Sequence, residues 1–146
     1  MYSLASNKIT STGAIKLFQY LSEKKNIIHL NIRKNLLDDK CMKELGKYIR
    51  KNKNIETIDI GNNKITDTGI EILAPFIDET ISLQNFNISF CSRITDKSIP
   101  LLIQMIQKSR ISNLISHLPN HTLLILPLIL NKIRYGNFID FNNTIG

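Results

Sequence analysis

Tryptophan is absent from this 146-residue chain, tyrosine occurs four times, phenylalanine six times and cysteine twice. Two cysteines, Cys41 and Cys91, are too few for a disulfide framework. Long apolar runs are missing as well: the densest, Leu123 to Leu130, is interrupted by Pro127, and a membrane-spanning helix needs about 20 residues. The opening MYSLASNKIT lacks the apolar stretch of a secretory signal. These absences predict a cytoplasmic protein, with the nucleus as the alternative and no membrane as partner. The N-x-S/T sequons at Asn87, Asn120 and Asn142 then read as by-products of an asparagine-rich composition. No glycine-rich phosphate loop, paired catalytic carboxylates or Ser-His-Asp set is visible, so neither enzymatic activity, a small-molecule substrate nor a cofactor is expected. His117 and His121 have an H-x3-H spacing, but Pro119 lies between them and no cysteine or carboxylate adjoins them; metal binding is not expected.

Acidic residues are scarce only in the first third. Residues 1–54 hold 12 Lys/Arg against 4 Asp/Glu, residues 55–110 hold 5 against 7, and residues 111–146 hold 2 against 1. Lys40, Lys43, Lys47 and Arg50/Lys51 fall on one face of a predicted helix. Without interleaved aromatics this stripe reads as a solvated surface, and nucleic acid is not the expected partner. Ile, Asn and Lys number 26, 16 and 14, a bias that A/T-rich coding produces and that lowers the weight of any single asparagine.

What the chain does have is a period of 28. Residues 55–77 turn from an alternating apolar pattern (Ile55, Ile58, Ile60) to helical spacing (Ile70, Leu73, Ile77). The same pattern recurs with Asn7, Asn35, Asn63 and Cys91 in one column. Ahead of these stand Tyr2/Leu4, Ile27/Leu30/Ile32, Ile55/Ile58/Ile60 and Leu83/Phe86/Ile88. Behind them come Ile9, Leu37, Ile65 and, one residue late, Ile94. Helical columns follow: Ala14, Met42, Ile70, Ile99; Leu17, Leu45, Leu73, Leu102; Leu21, Ile49, Ile77, Ile106. The predicted helix starts are Ser11/Thr12, Asp38/Asp39, Thr66/Asp67 and Thr95/Asp96, all capping residue types. Pro100 fits a first helical turn, whereas Pro75 predicts a bend or an early end.

This is the pattern L-x-x-L-x-L-x-x-N/C-x-L, and the chain resembles leucine-rich-repeat proteins of the 28-residue, ribonuclease-inhibitor-like type. NKITDTGIEIL at Asn63–Leu73 carries the resemblance best, and CSRITDKSI at Cys91–Ile99 is similar to the cysteine-containing variant. The resemblance implies an α/β fold: a right-handed, curved solenoid with a parallel sheet on the concave face and helices on the convex face. Residues 1–111 are expected to form about four units, the first starting mid-repeat, so that the chain reads as a fragment of a longer array or as one with an exposed first strand. Residues 112–146 are expected to be a degenerate repeat or C-terminal capping region, with a fifth strand from Ile111/Leu114, a helix over Leu123–Ile133 and a last strand at Ile139–Ile145. The column residues Asn7, Asn35, Asn63 and Cys91 are expected to be structural, supporting the turn out of each strand.

Strand residues that do not face the core would line the concave face: Ser3, Ala5; His29, Asn31, Arg33; Thr57, Asp59, Gly61; Asn85, Asn87, Ser89; and Asn113, Ile115, His117. The resemblance implies that this face binds a protein partner without chemistry. His29, Asn31, Arg33, Thr57, Asp59, Asn85, Asn87 and Ser89 are the candidate contacts, and Arg33 and Asp59, on neighbouring strands, can also satisfy each other. Two further readings follow from relatives of this repeat type: the substrate-recognition part of an F-box-type ubiquitin-ligase receptor, and a regulator of a small GTPase like the Ran GTPase-activating proteins.

Overall fold

A strand of three residues cannot bury its apolar side alone, so each unit is stable only against its neighbours. The computed structural model describes residues 1–78 and 80–115. It shows five strands: β1 (Tyr2–Ser3), β2 (His29–Asn31), β3 (Thr57–Asp59), β4 (Asn85–Asn87) and β5 (Asn113–Ile115). They form one parallel sheet in the order β1-β2-β3-β4-β5. Between them run four helices: α1 (Ser11–Leu21), α2 (Met42–Lys51), α3 (Asp67–Ile77) and α4 (Ile99–Lys108). This is the leucine-rich-repeat solenoid that the sequence pattern implies.

Strand register equals sequence period. Tyr2 pairs with Leu30, Leu30 with Ile58, Ile58 with Phe86 and Phe86 with Leu114. Leu30, Ile58 and Phe86 thereby stack into a single buried row, joined by Ile32, Ile60 and Ile88. From the helix side Met42, Leu45, Ile49, Ile70, Leu73, Ile77 and Leu102 close the core, and Phe18 stacks with Tyr48 at 6.1 Å between ring centres. Burial pushes the Tyr48 hydroxyl pKa up, against a bond from Asn52.

The turns are held by the column asparagines. Asn35 Oδ1 accepts from the N–H groups of Asn7 and Ile9, while its Nδ2 donates to the carbonyls of Leu4, Ile32 and Arg33. Asn63 repeats this one unit on, accepting from Asn35 and Leu37 and donating to Ile32, Ile60 and Gly61. Each amide thus ties two units together through groups the turn would leave unpaired. Cys91 continues the column with its Sγ 3.5 Å from the Ile60 carbonyl. Just before each column residue the backbone turns left-handed, at Ser6, Lys34, Asn62 and Phe90 (φ 61°, 55°, 52° and 61°).

Capping runs between units. Thr10, Asp38, Thr66 and Thr95 are the N-caps; the first helix starts at Ser11 as expected, with its cap one residue ahead of the predicted pair. The second and fourth helices open with short 3-10 turns at Asp39–Cys41 and Asp96–Ser98. Asp39 accepts from the Thr66 N–H and hydroxyl (2.8 and 2.6 Å), and Asp67 does the same for Thr95 (2.8 and 2.7 Å). At the first junction the hydroxyl and carboxylate are exchanged: Ser11 donates to Asp38 Oδ1 at 2.6 Å and accepts from the Asp38 N–H at 2.8 Å.

Pro75 does not end its helix. α3 continues through it to Ile77, because Ile70, Leu73, Ala74 and Ile77 are buried against the neighbouring units and this packing outweighs the lost backbone bond. Pro100 stands in the first turn of α4, as its missing N–H favours. The fifth strand forms on schedule. His117, His121, the helix expected over Leu123–Ile133 and the strand expected at Ile139–Ile145 lie outside the described residues.

Candidate functional site

Alternation along each strand sends Leu30, Ile58 and Phe86 into the core and leaves their neighbours on the open face of the sheet. His29 is exposed, and Asn31, Thr57, Asp59, Asn85 and Asn87 are half-buried. Ser3 is exposed and Ala5 half-buried at the β1 edge, and Asn113 is exposed on β5.

Two hydrogen-bonded rungs cross this face. Asn113 Nδ2 donates to Asn85 Oδ1 and Asn85 Nδ2 to Thr57 Oγ1, both at 3.3 Å. Asn87 Nδ2 donates to Asp59 Oδ2 at 3.0 Å. Asn31, Asp59 and Asn87 also act on their own backbone, each side-chain oxygen accepting the N–H two residues on, from Arg33, Gly61 and Ser89 respectively. That turn is one Asn and Asp form readily. These three side chains therefore shape the end of each strand as well as facing solvent.

Arg33 reaches further than its neighbour. Its Nη1 lies 3.8 Å from Asp59 Oδ1 and 3.0 Å from Ser89 Oγ, to which it donates. The guanidinium also lies 5.1 Å from the centre of the Phe90 ring. Gly61 makes room for it: a Cβ there would stand 2.5 Å from Nη1 and 2.8 Å from the Ser89 carbonyl oxygen. Arg33 and Phe90 cover Ser89, which is 3% exposed, and Gly61 is buried too. The Arg33–Asp59 pairing expected from the sequence is thus one part of a larger cluster. Phe90, 52% exposed, escapes sequence reasoning because a phenylalanine two residues after Ile88 reads as one more core residue. The signal was its column, shared with Ser6, Lys34 and Asn62.

The two thiols are core residues. Burial pushes Cys41 up to about 11, against a hydrogen bond from Ser11, and burial likewise raises Cys91. Among the described residues no cluster of three or more His, Cys, Asp and Glu side chains could hold a metal ion. No helix among them is long and apolar enough to cross a membrane. Open grooves lie along the turns that lead into the strands, one of about 400 Å³ lined by Asn26, Ile28, Asn54, Glu56 and Gln84.

Comparison with known proteins agrees with this geometry. A family model described as Leucine Rich repeat matches residues 3–18 and 51–74. No curated protein matches the sequence. Among solved structures, the chain is similar to "Leiomodin-1 Actin-Binding Site 2 (ABS2)", with a TM-score of 0.76 and 13% identity over 92% of this chain and 80% of that one. At that identity the likeness is one of fold.

Proposed function

We propose that this leucine-rich-repeat protein is a non-catalytic module that holds a protein partner on the open face of its sheet. One observation carries the reading: the 28-residue register aligns His29, Thr57, Asn85 and Asn113 in one row and Asn31, Asp59 and Asn87 in the next. A wide polar surface on a rigid scaffold suits recognition of another macromolecule's surface. His29, Asn31, Arg33, Thr57, Asp59, Asn85 and Asn87 form its contact surface, and Ser89 contributes by fixing Arg33. The constant period and the cysteine in the fourth unit support the ribonuclease-inhibitor-like subtype.

Affinity capture of binding proteins from the native extract, followed by crosslinking, tests this. The variant His29→Glu/Asn85→Arg alters the face while touching only one rung of hydrogen bonds. Loss of the captured proteins with an unchanged melting temperature is the expected result; an unchanged set of captured proteins, crosslinked through the helices, overturns the proposal. Purified actin belongs in the same assay because the structurally similar leiomodin domain carries an actin-binding site in its description.

A further inference from the structure

The first unit meets the second with one of its two sides, and its other side carries the groups that the later junctions use. In the sheet, the carbonyls of Asn31, Asp59 and Asn87 each accept an N–H from the unit before, from Leu4, Ile32 and Ile60. Those of Arg33, Gly61 and Ser89 accept from Ser6, Lys34 and Asn62. Ser3 and Ala5 hold the same two places at β1, the edge of the sheet, where no described strand lies beyond. In the turn, the side-chain oxygens of Asn35 and Asn63 each accept two N–H groups from the unit before. Asn7 is next in that column. Its Nδ2 donates to the Ala5 carbonyl at 3.0 Å, and among the described residues its oxygen has no donor. At the helix start, Thr66 and Thr95 give their N–H and hydroxyl to Asp39 and Asp67 of the unit before. Thr10 stands in their place. Its hydroxyl accepts from the Gly13 N–H at 3.4 Å, and among the described residues neither its own N–H nor its hydroxyl proton has an acceptor.

The apolar columns agree. Tyr2, Leu4, Ile9 and Leu17 share columns with Leu30, Ile32, Leu37 and Leu45, each at most 1% exposed. In the first unit Tyr2 is 52% exposed and the other three are only partly buried. For the second unit, the first supplies the cover that these four side chains lack. Strand edge, turn, helix start and apolar columns therefore stand here as they do at each established junction, and a unit of this kind is stable only against its neighbours.

We propose that this side of the first unit docks a further leucine-rich-repeat unit of the same register. Thr10 specifies its chemistry. An N–H and a hydroxyl together receive a carboxylate, so the incoming unit opens its helix with Asp, as at Asp39 and Asp67, and not with a hydroxyl, as at Ser11. Its strand lies parallel to β1 and donates to the Ser3 and Ala5 carbonyls, and two N–H groups of its turn reach the Asn7 oxygen. This surface is separate from the open face of the sheet, and neither reading depends on the other.

Joining a copy of residues 57–84 ahead of Met1 of the full chain tests this, because it sets the copy's Asp67 as far from Thr10 in sequence as Asp39 is from Thr66. The extended chain should unfold in urea in one transition, with a midpoint above that of the natural chain. Hydrogen exchange at the Thr10 N–H should slow by at least about tenfold. Asp67→Ala in the copy should return that exchange toward its natural rate, and its effect on the midpoint should couple to that of Thr10→Val in a double-mutant cycle. A copy that unfolds by itself at lower urea, or Thr10 exchange that the copy leaves unchanged, overturns the inference. So does sedimentation of the natural chain as a dimer that Leu17→Glu disperses, which would give the same side to a second copy of this chain.

Discussion

Arg33 and Ser89 are hydrogen-bonded at 3.0 Å although they stand 56 positions apart in the sequence, with an entire strand between them. The bond passes over Gly61, whose missing side chain is the passage. Gly61→Ala closes it: the new methyl group meets the Arg33 nitrogen at 2.5 Å and, less forgivingly, the Ser89 backbone oxygen at 2.8 Å. Overpacking of this kind costs about 1–3 kcal/mol. Urea unfolding should show a loss in that range, and Arg33→Ala should recover little of it because the backbone contact remains.

The first junction between units offers a cleaner experiment. Ser11→Asp alone sets a carboxylate against Asp38 and should destabilise by about 1–3 kcal/mol. Adding Asp38→Thr gives the first junction the chemistry of the second and third, where Asp39 meets Thr66 and Asp67 meets Thr95. The double variant should return most of the lost stability in a double-mutant cycle by denaturant unfolding. Additive losses would show that the exchanged partners are not equivalent.

Asn63 makes five hydrogen bonds across the turns of two neighbouring units. Asn63→Ala should lower unfolding free energy by about 2–4 kcal/mol, since each buried group left unpaired costs about 1–3 kcal/mol before relaxation. Asp is close in size but offers no donor, and Asn63→Asp should be at least as harmful near neutral pH. A change below about 0.5 kcal/mol for either would mean that solvent replaces the amide.

Acid should loosen the same junctions. The Ser11 hydroxyl, then the Lys40 N–H, hold the Asp38 carboxyl below its ordinary value against a burial effect that raises it. For Asp67 burial is the largest influence and acts upward, yet bonds from Ser98 and Thr95 outweigh it and the net direction is down. Both groups bind protons less readily folded than unfolded, so stability rises with pH through their titration. Their contribution is complete above the unfolded value of about 3.9 and is lost as pH falls through the lower folded values. Melting temperatures of Asp38→Asn and Asp67→Asn should lie below that of the natural chain near neutrality and converge with it toward about pH 2.

Neither thiol should react in the folded state. Cys41 and Cys91 are 0% and 1% exposed, and burial raises both above the ordinary thiol range. Iodoacetamide at neutral pH should modify them only at the rate of unfolding, which mass spectrometry can follow across a urea series.

The sequence carried the register of the sheet because a fixed period leaves only one way to pair strands. Leu30 against Ile58 against Phe86 could be written down from column positions alone. It did not carry the features that depend on what a neighbour lacks. Arg33 crosses to Ser89 only because position 61 has no Cβ, and no property of Arg33 announces this. Pro75 misleads about the end of α3 for a related reason: its local preference is real, but Leu73, Ala74 and Ile77 are locked into the core around it. The role of Asn31, Asp59 and Asn87 as turn formers was also hidden, since side chains that face solvent and fold back on the next backbone N–H look alike in a strand pattern. For Phe90 the clue was present, an aromatic in a column of Ser, Lys and Asn, but only the left-handed backbone shows why that is unusual.

Repeat arrays lengthen when a segment coding for one unit is copied, and the exchanged hydroxyl and carboxylate at the first junction bear on which copies would be tolerated. A second copy of the unit bearing Asp38 and Asp39 would bring Asp39 against another Asp38, carboxylate against carboxylate. Deleting that unit would bring Ser11 against Thr66, with no carboxylate between them. The unit bearing Thr66 and Asp67 can be copied freely, because Asp67 would meet a new Thr66 as it now meets Thr95. The junctions act as an ordering code, under which this solenoid can grow in its middle and resists rearrangement near its beginning.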